Sequence, residues 1–198
     1  MKTNITWLAL WVVVIIPVSS HLTSAAPTDT IWLPAGTSSW HDAVNWNNGL
    51  PSVASEKRGR INNGGTALVT GRTDSAGIIL GYNTDEKGCL CISNSTAMLS
   101  NNLYHIFIGY SGTGVVTHYN GSLISGCITN GVTFYMGYNA SSSSRYTSYN
   151  GLTILYGTVM LGYAGNRTVY NQYGGTFKVS ENRNPGRITN TGLSLIHI

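Results

Sequence analysis

Seven carboxylates are available to this 198-residue chain: Asp29, Asp42, Glu56, Asp74, Asp85, Glu86 and Glu181. Glycoside cleavage needs two carboxyl groups facing each other across the scissile bond, and a Ca²⁺ site needs several oxygens converging on one point. Only Asp85 and Glu86 fall inside a well-repeated segment. Being adjacent in one turn, they do not oppose each other, and they read as solvated turn residues. The five histidines (His21, His41, His105, His118 and His197) share no spacing with cysteines or carboxylates. Cys89, Cys91 and Cys127 are odd in number, so at least one thiol lacks a partner within the chain. Cys89 and Cys91 lie two apart on an expected strand, point to one face and do not bridge each other. With no second ligand pair they read as small buried fillers rather than metal ligands. GYSGTG at 109–114 has the glycines of a phosphate loop, but it leads into a strand and lacks the lysine. GxSxG is absent from the sequence. These readings assign no catalytic residue, no metal ligand and no cofactor.

Tyrosine is the remaining side chain with chemistry at regular spacing. Tyr82, Tyr110, Tyr138 and Tyr163 each follow a glycine, at intervals of 28, 28 and 25 residues. Tyr119, Tyr149 and Tyr173 form a second series. Aromatic ladders of this kind either stack on one another at a corner or offer an exposed face to sugar rings or partner surfaces. The sequons at Asn94, Asn120, Asn139 and Asn166 read as turn chemistry.

The elements that position these residues repeat as well. Each Gly-Tyr follows an apolar triplet: Ile78-Ile79-Leu80, Ile106-Phe107-Ile108, Phe134-Tyr135-Met136 and Val159-Met160-Leu161. A polar loop comes next, then a second run (CLCIS, VVTHY, RYTSY, TVYNQY), a turn, and a third run (TAMLS, SLIS, LTILY, TFKVS). An incomplete earlier copy starts at Gly64-Gly65. Three short β-type runs per unit, with no helical period, predict the windings of a solenoid rather than propeller blades, which need four strands and ~40 residues. The expected fold is all-β: a single-stranded, right-handed parallel β-solenoid of 25–28 residues per winding. Windings stack ~4.8 Å apart, so equivalent residues form columns. Leu80, Ile108, Met136 and Leu161 are one expected inner column, and Leu90, Val116, Tyr146 and Tyr170 another. Like charges stacked this closely repel, which accounts for a charged fraction of only 9%.

The flanks differ. Lys2, the apolar run from Trp7 to Val18 and the small residues Ser24, Ala25 and Ala26 read as a signal peptide over 1–25, and that apolar run is shorter than the ~20 residues of a membrane span. The chain is therefore expected to be secreted or displayed at the cell surface, with no membrane span in its mature part. Residues 26–63, with Trp32, Trp40 and Trp46, are expected to cap the solenoid of 64–180, since an open end exposes its core. Residues 181–198 are expected to be irregular and the chain to be a piece of a longer protein. The formal charge is +4, and Lys57, Arg58 and Arg60 read as a solvated loop, not a nucleic-acid patch.

IGYSGTGVVTHYNGSLIS at 108–125 resembles the repeats of bacterial β-solenoid passenger regions, found in autotransporter-type adhesins and in large secreted proteins with surface-sorting tails. NWNNGLP at 45–51 and INNGGTALVT at 61–70 look like the lead-in of that family, and the similarity spans residues 38–180. It implies a non-enzymatic stalk or adhesion scaffold whose partners are surface glycans or neighbouring cell-surface proteins. The alternative is a carbohydrate-binding or polysaccharide-cleaving β-helix using a Tyr/Asn face. The three cysteines and the early end depart from the family pattern.

Overall fold

The computed structural model describes residues 26–126, 132–165, 167–180, 187–190 and 194–197. The expected signal peptide over 1–25, Cys127 and Asn166 lie outside them. Strand follows strand along the chain, and the described residues contain no α-helix, nor any helix long and apolar enough to cross a membrane.

The chain winds through three parallel sheets in turn, as a β-solenoid. The opening winding holds β1 (Thr28–Ile31) and β2 (Thr37–Ser39), followed by a short 3₁₀ turn at Ala43–Asn45. The second holds β3 (Lys57–Ile61), β4 (Asn63–Val69) and β5 (Arg72–Ser75), and the third β6 (Ile78–Leu80), β7 (Lys87–Ile92) and β8 (Met98–Asn101). Next come β9 (Ile106–Ile108), β10 (Thr113–His118) and β11 (Ser122–Ser125), then β12 (Phe134–Met136), β13 (Ser143–Ser148) and β14 (Gly151–Tyr156). The series continues with β15 (Thr158–Leu161), β16 (Arg167–Gln172) and β17 (Gly175–Ser180), and closes with β18 (Arg187–Asn190) and β19 (Ser194–His197). The first sheet runs β1-β3-β6-β9-β12-β15-β18, the second β2-β4-β7-β10-β13-β16-β19, and the third β5-β8-β11-β14-β17.

Period-2 alternation explains the interior. In β10 the buried residues are Gly114, Val116 and His118, with Thr113, Val115 and Thr117 facing outward. Register then makes columns. Leu80, Ile108, Met136 and Leu161 pair in succession, and so do Leu90, Val116, Tyr146 and Tyr170. Both columns are buried, as expected from the repeats. Each such aliphatic side chain contributes ~1.5–3 kcal/mol on leaving water.

Two boundaries differ from the sequence expectation. The winding starts within 26–63, since β1 and β3 already belong to the first sheet and β2 to the second. The excursion between β2 and β3 carries Trp40 and Trp46, which are buried in one continuous core with Trp32 and Ile61. The 181–198 stretch contributes β18 and β19, which pair with β15 and β16. Cys89 and Cys91 alternate with buried Leu90 and Ile92, so they lie half-buried on the outer side of β7 instead of filling the core.

Candidate functional site

The Gly-Tyr corner is built by the backbone. Gly81, Gly109, Gly137 and Gly162 all have positive φ, between 62° and 73°, a region open to glycine at little cost. The corner continues the hydrogen-bond ladder of the first sheet: Gly137 N–H donates to the Ile108 carbonyl, and Tyr138 N–H to that of Gly109, both at 3.0 Å. The rings that follow are thereby held at the pitch of the windings. Tyr82 and Tyr110 stack at 5.1 Å, Tyr110 and Tyr138 at 4.9 Å, and Tyr138 and Tyr163 at 5.4 Å, with interplanar angles of 9°, 17° and 16°. At another corner Tyr119 stacks on Tyr149 at 5.0 Å and Tyr149 on Tyr173 at 5.4 Å. Both expected ladders are thus assembled as columns.

A third aromatic column lies beside the first ladder. Phe107 and Tyr135, the outward-facing middle residues of their triplets, stack at 5.0 Å and 3°. Phe107 meets Tyr110 and Tyr138 edge-on, and Tyr135 meets Tyr138 and Tyr163 in the same way. His105 packs its ring against Phe107 and Tyr135. The sequence carried the signal for this column, since the triplet centre alternates with two inward residues. The aromatic type at that centre occurs in two triplets only, so it does not stand out as a repeat.

The end of the Tyr82 ladder is covered by a cation. The Arg60 guanidinium carbon sits 3.8 Å from the Tyr82 ring centre. Arg60 also lies 3.8 Å from Asp29 and 3.9 Å from Glu86, and Arg58 pairs with Asp29 at 2.7 Å. The basic cluster expected as a solvated loop is therefore part of β3, with Arg58 and Arg60 ion-paired and Lys57 Nζ donating to the Asn48 carbonyl. Glu86 is also more than a solvated turn residue. Its carboxylate accepts hydrogen bonds from the Asn83 backbone, the Asn83 side chain and Asn62. Burial pushes the Glu86 pKa upward, but these bonds and Arg60 outweigh it and hold the group below the usual carboxylate value. Asp74 accepts from the Val53 N–H at 2.7 Å. Burial, then the neighbouring phenols Tyr138 and Tyr82, push the Tyr110 hydroxyl upward.

The sequon asparagines described here serve turns. Asn150 Nδ2 donates to Asn120 Oδ1 at 3.1 Å, Asn139 Nδ2 donates to Ser111 Oγ at 2.7 Å, and Asn94 Oδ1 accepts from the Thr96 N–H.

A polar knot sits in the core itself. His118 Nδ1 lies 2.9 Å from the Tyr146 hydroxyl, which lies 2.7 Å from Thr153 Oγ1. All three residues are buried. Burial pushes His118 below the ordinary histidine pKa, by more than the backbone of Gly121 and Asn120 restores, and it moves His105 in the same direction. The unfolded chain then binds a proton more readily than the fold. The neutral-histidine contribution to stability is complete above the unfolded value of ~6.5 and is lost as pH falls through it towards the lowered folded value. Thermal unfolding should show a midpoint that is flat from pH 8 to 7 and drops by pH 5. His118→Gln should reduce that drop, and an unchanged slope would assign the acid sensitivity elsewhere.

These arrangements bind rings, amides and carboxylates to one another. No group of three or more His, Cys, Asp or Glu that could hold a metal ion forms among the described residues. None of the family models, curated proteins or solved structures compared with this chain matches it, so its own geometry carries the functional reading.

Proposed function

We propose that this chain is an exported, non-enzymatic rod that serves as a stalk or adhesion scaffold outside the cell or on its surface. One observation carries the reading: the tyrosine faces are spent on each other. A sugar stacks on the flat face of an aromatic ring, and stacked, nearly parallel rings ~5 Å apart leave no room between them for one. The first ladder thus stiffens a column of windings and presents mainly ring edges and hydroxyls. Asp29, Glu86 and Asp74 are likewise engaged in holding loops and arginines.

Tyr110→Ala combined with Tyr138→Ala tests this. Each stacked pair adds ~0.5–1.5 kcal/mol beyond area burial, and the double variant removes three such pairs in one ladder. Its urea midpoint should fall clearly, with no glycan interaction lost. A double variant of unchanged stability that loses neutral-glycan binding would overturn the stalk reading.

A second reading, glycan binding or cleavage along a Tyr/Asn face, draws on the other ladder. Tyr119, Tyr149 and Tyr173 are 46%, 45% and 61% exposed. An open cleft runs close by, lined by Asn120, Ser122, Asn150 and Thr176 among others. Polysaccharide turnover that depends on Asp85 would establish that reading and end the non-enzymatic one.

A further inference from the structure

Three cations that are far apart in the sequence come together on the outer face of the second sheet. Register places Lys87, Thr113, Ser143 and Arg167 side by side on four successive windings. In the next outward row Arg145 lies between Val115 and Val169. Lys87, Arg145 and Arg167 are all exposed. The ion pairs formed among the described residues engage Arg58 and Arg60 and leave these three out. A shallow cleft of about 380 Å³ runs over this surface, lined by Lys87, Thr113, Val115, Arg145, Arg167 and Val169 among others. A hydroxyl-rich hollow lined by Thr84, Ser141 and Ser143 shares its Thr113 and Arg167 edge.

We propose that this cleft is the adhesive surface of the rod and that it binds a linear anionic polysaccharide, sulfated or uronate-bearing, laid along the solenoid axis. The proposal rests on the scaffold reading. The chemistry fits each part of such a chain: cations for the acidic groups, Thr113, Ser141 and Ser143 for sugar hydroxyls, and Val115 and Val169 for the C–H faces of the rings. Lys87 and Arg167 are three windings apart, ~14 Å at the strand spacing. Duplex DNA carries about eight charges over that length, at one per ~1.7 Å. Three cations, and no aromatic ring in the cleft lining for base stacking, fit a sparsely charged glycan better. Asp85 and Glu86 stand at the Lys87 end, where Glu86 is already held by Arg60, Asn62 and Asn83.

The test uses the full chain and a chondroitin sulfate decasaccharide, polygalacturonate, neutral dextran and a DNA duplex as probes. One or both anionic glycans should bind with an affinity that falls steeply with salt, while dextran does not bind. Lys87→Ser, Arg145→Ser and Arg167→Ser together should weaken binding at least tenfold and leave the thermal midpoint unchanged. Lys178→Ser, which removes an exposed cation from the third sheet, should have little effect. The proposal is overturned if neither anionic glycan binds, if the triple variant binds like the parent, if Lys178→Ser costs as much as one of the three, or if DNA binds as tightly as the glycans. Newly formed reducing ends in the bound polysaccharide would sink the non-enzymatic scaffold and leave the cationic cleft standing.

Discussion

Trp46→Ala should destabilise the chain by about 3–5 kcal/mol, the range for removing a large aromatic from a packed core, against total stabilities of roughly 5–15 kcal/mol for natural domains. Trp46 is 3% exposed and sits between two other indoles, Trp32 at 4.9 Å and Trp40 at 4.8 Å, edge to face with both. Its Nε1–H donates to the Trp40 carbonyl at 3.0 Å, buried. Truncation therefore opens a cavity, breaks two ring contacts and strands a carbonyl. The space cannot close easily, because Gly59 of β3 already lies close against the Trp40 and Trp46 rings. Urea unfolding followed by far-ultraviolet circular dichroism measures the loss without depending on indole emission. A loss below ~0.5 kcal/mol, the scale of an ordinary surface substitution, would mean that the tryptophans do not close the first windings.

Gly109→Ala should be comparably damaging through the backbone. Its φ of 73° costs an L-residue ~1–2 kcal/mol. A β-carbon there would also stand 2.5 Å from the Ser143 carbonyl oxygen of the next winding. Overpacking of that kind adds ~1–3 kcal/mol. Two controls separate the contributions. Gly64 has a φ of 85° with nothing within 4 Å of the added carbon, so Gly64→Ala should show the conformational cost alone. Gly36 has open space and no positive φ, so Gly36→Ala should be near neutral. If Gly109→Ala costs no more than Gly64→Ala, the close approach of windings at the Gly-Tyr corner is wrong.

Both substitutions bear on what could be read in advance. The glycine before each tyrosine was legible because the same corner recurs, and a recurring corner demands the same backbone freedom every time. The tryptophans were expected as a cap ahead of the first winding, whereas Trp40 and Trp46 lie in an excursion between strands already wound into the sheets. That second winding is short: Gly59 pairs with Ile78, only 19 residues on. It also has no Gly-Tyr pair, so a search for the 28-residue period passes over it. Cys89 and Cys91 were misplaced because small apolar character was weighed above strand alternation, which sends both outward beside buried Leu90.

The sequence by itself determined the strand-and-turn rhythm, the inner columns and both tyrosine ladders. Stacked windings place like residues over like, and a fixed interval shows this without any coordinates. Only the tertiary structure decided which unlike residues meet. Arg60 covers Tyr82, Phe107 wedges against the ladder, His118 finds Tyr146 and Thr153, and Lys87, Arg145 and Arg167 line one cleft. Those neighbours come from different sheets, faces or windings, and the loop lengths between them vary. Their contacts therefore follow from the register of hydrogen-bonded strands in space, which no interval along the chain records.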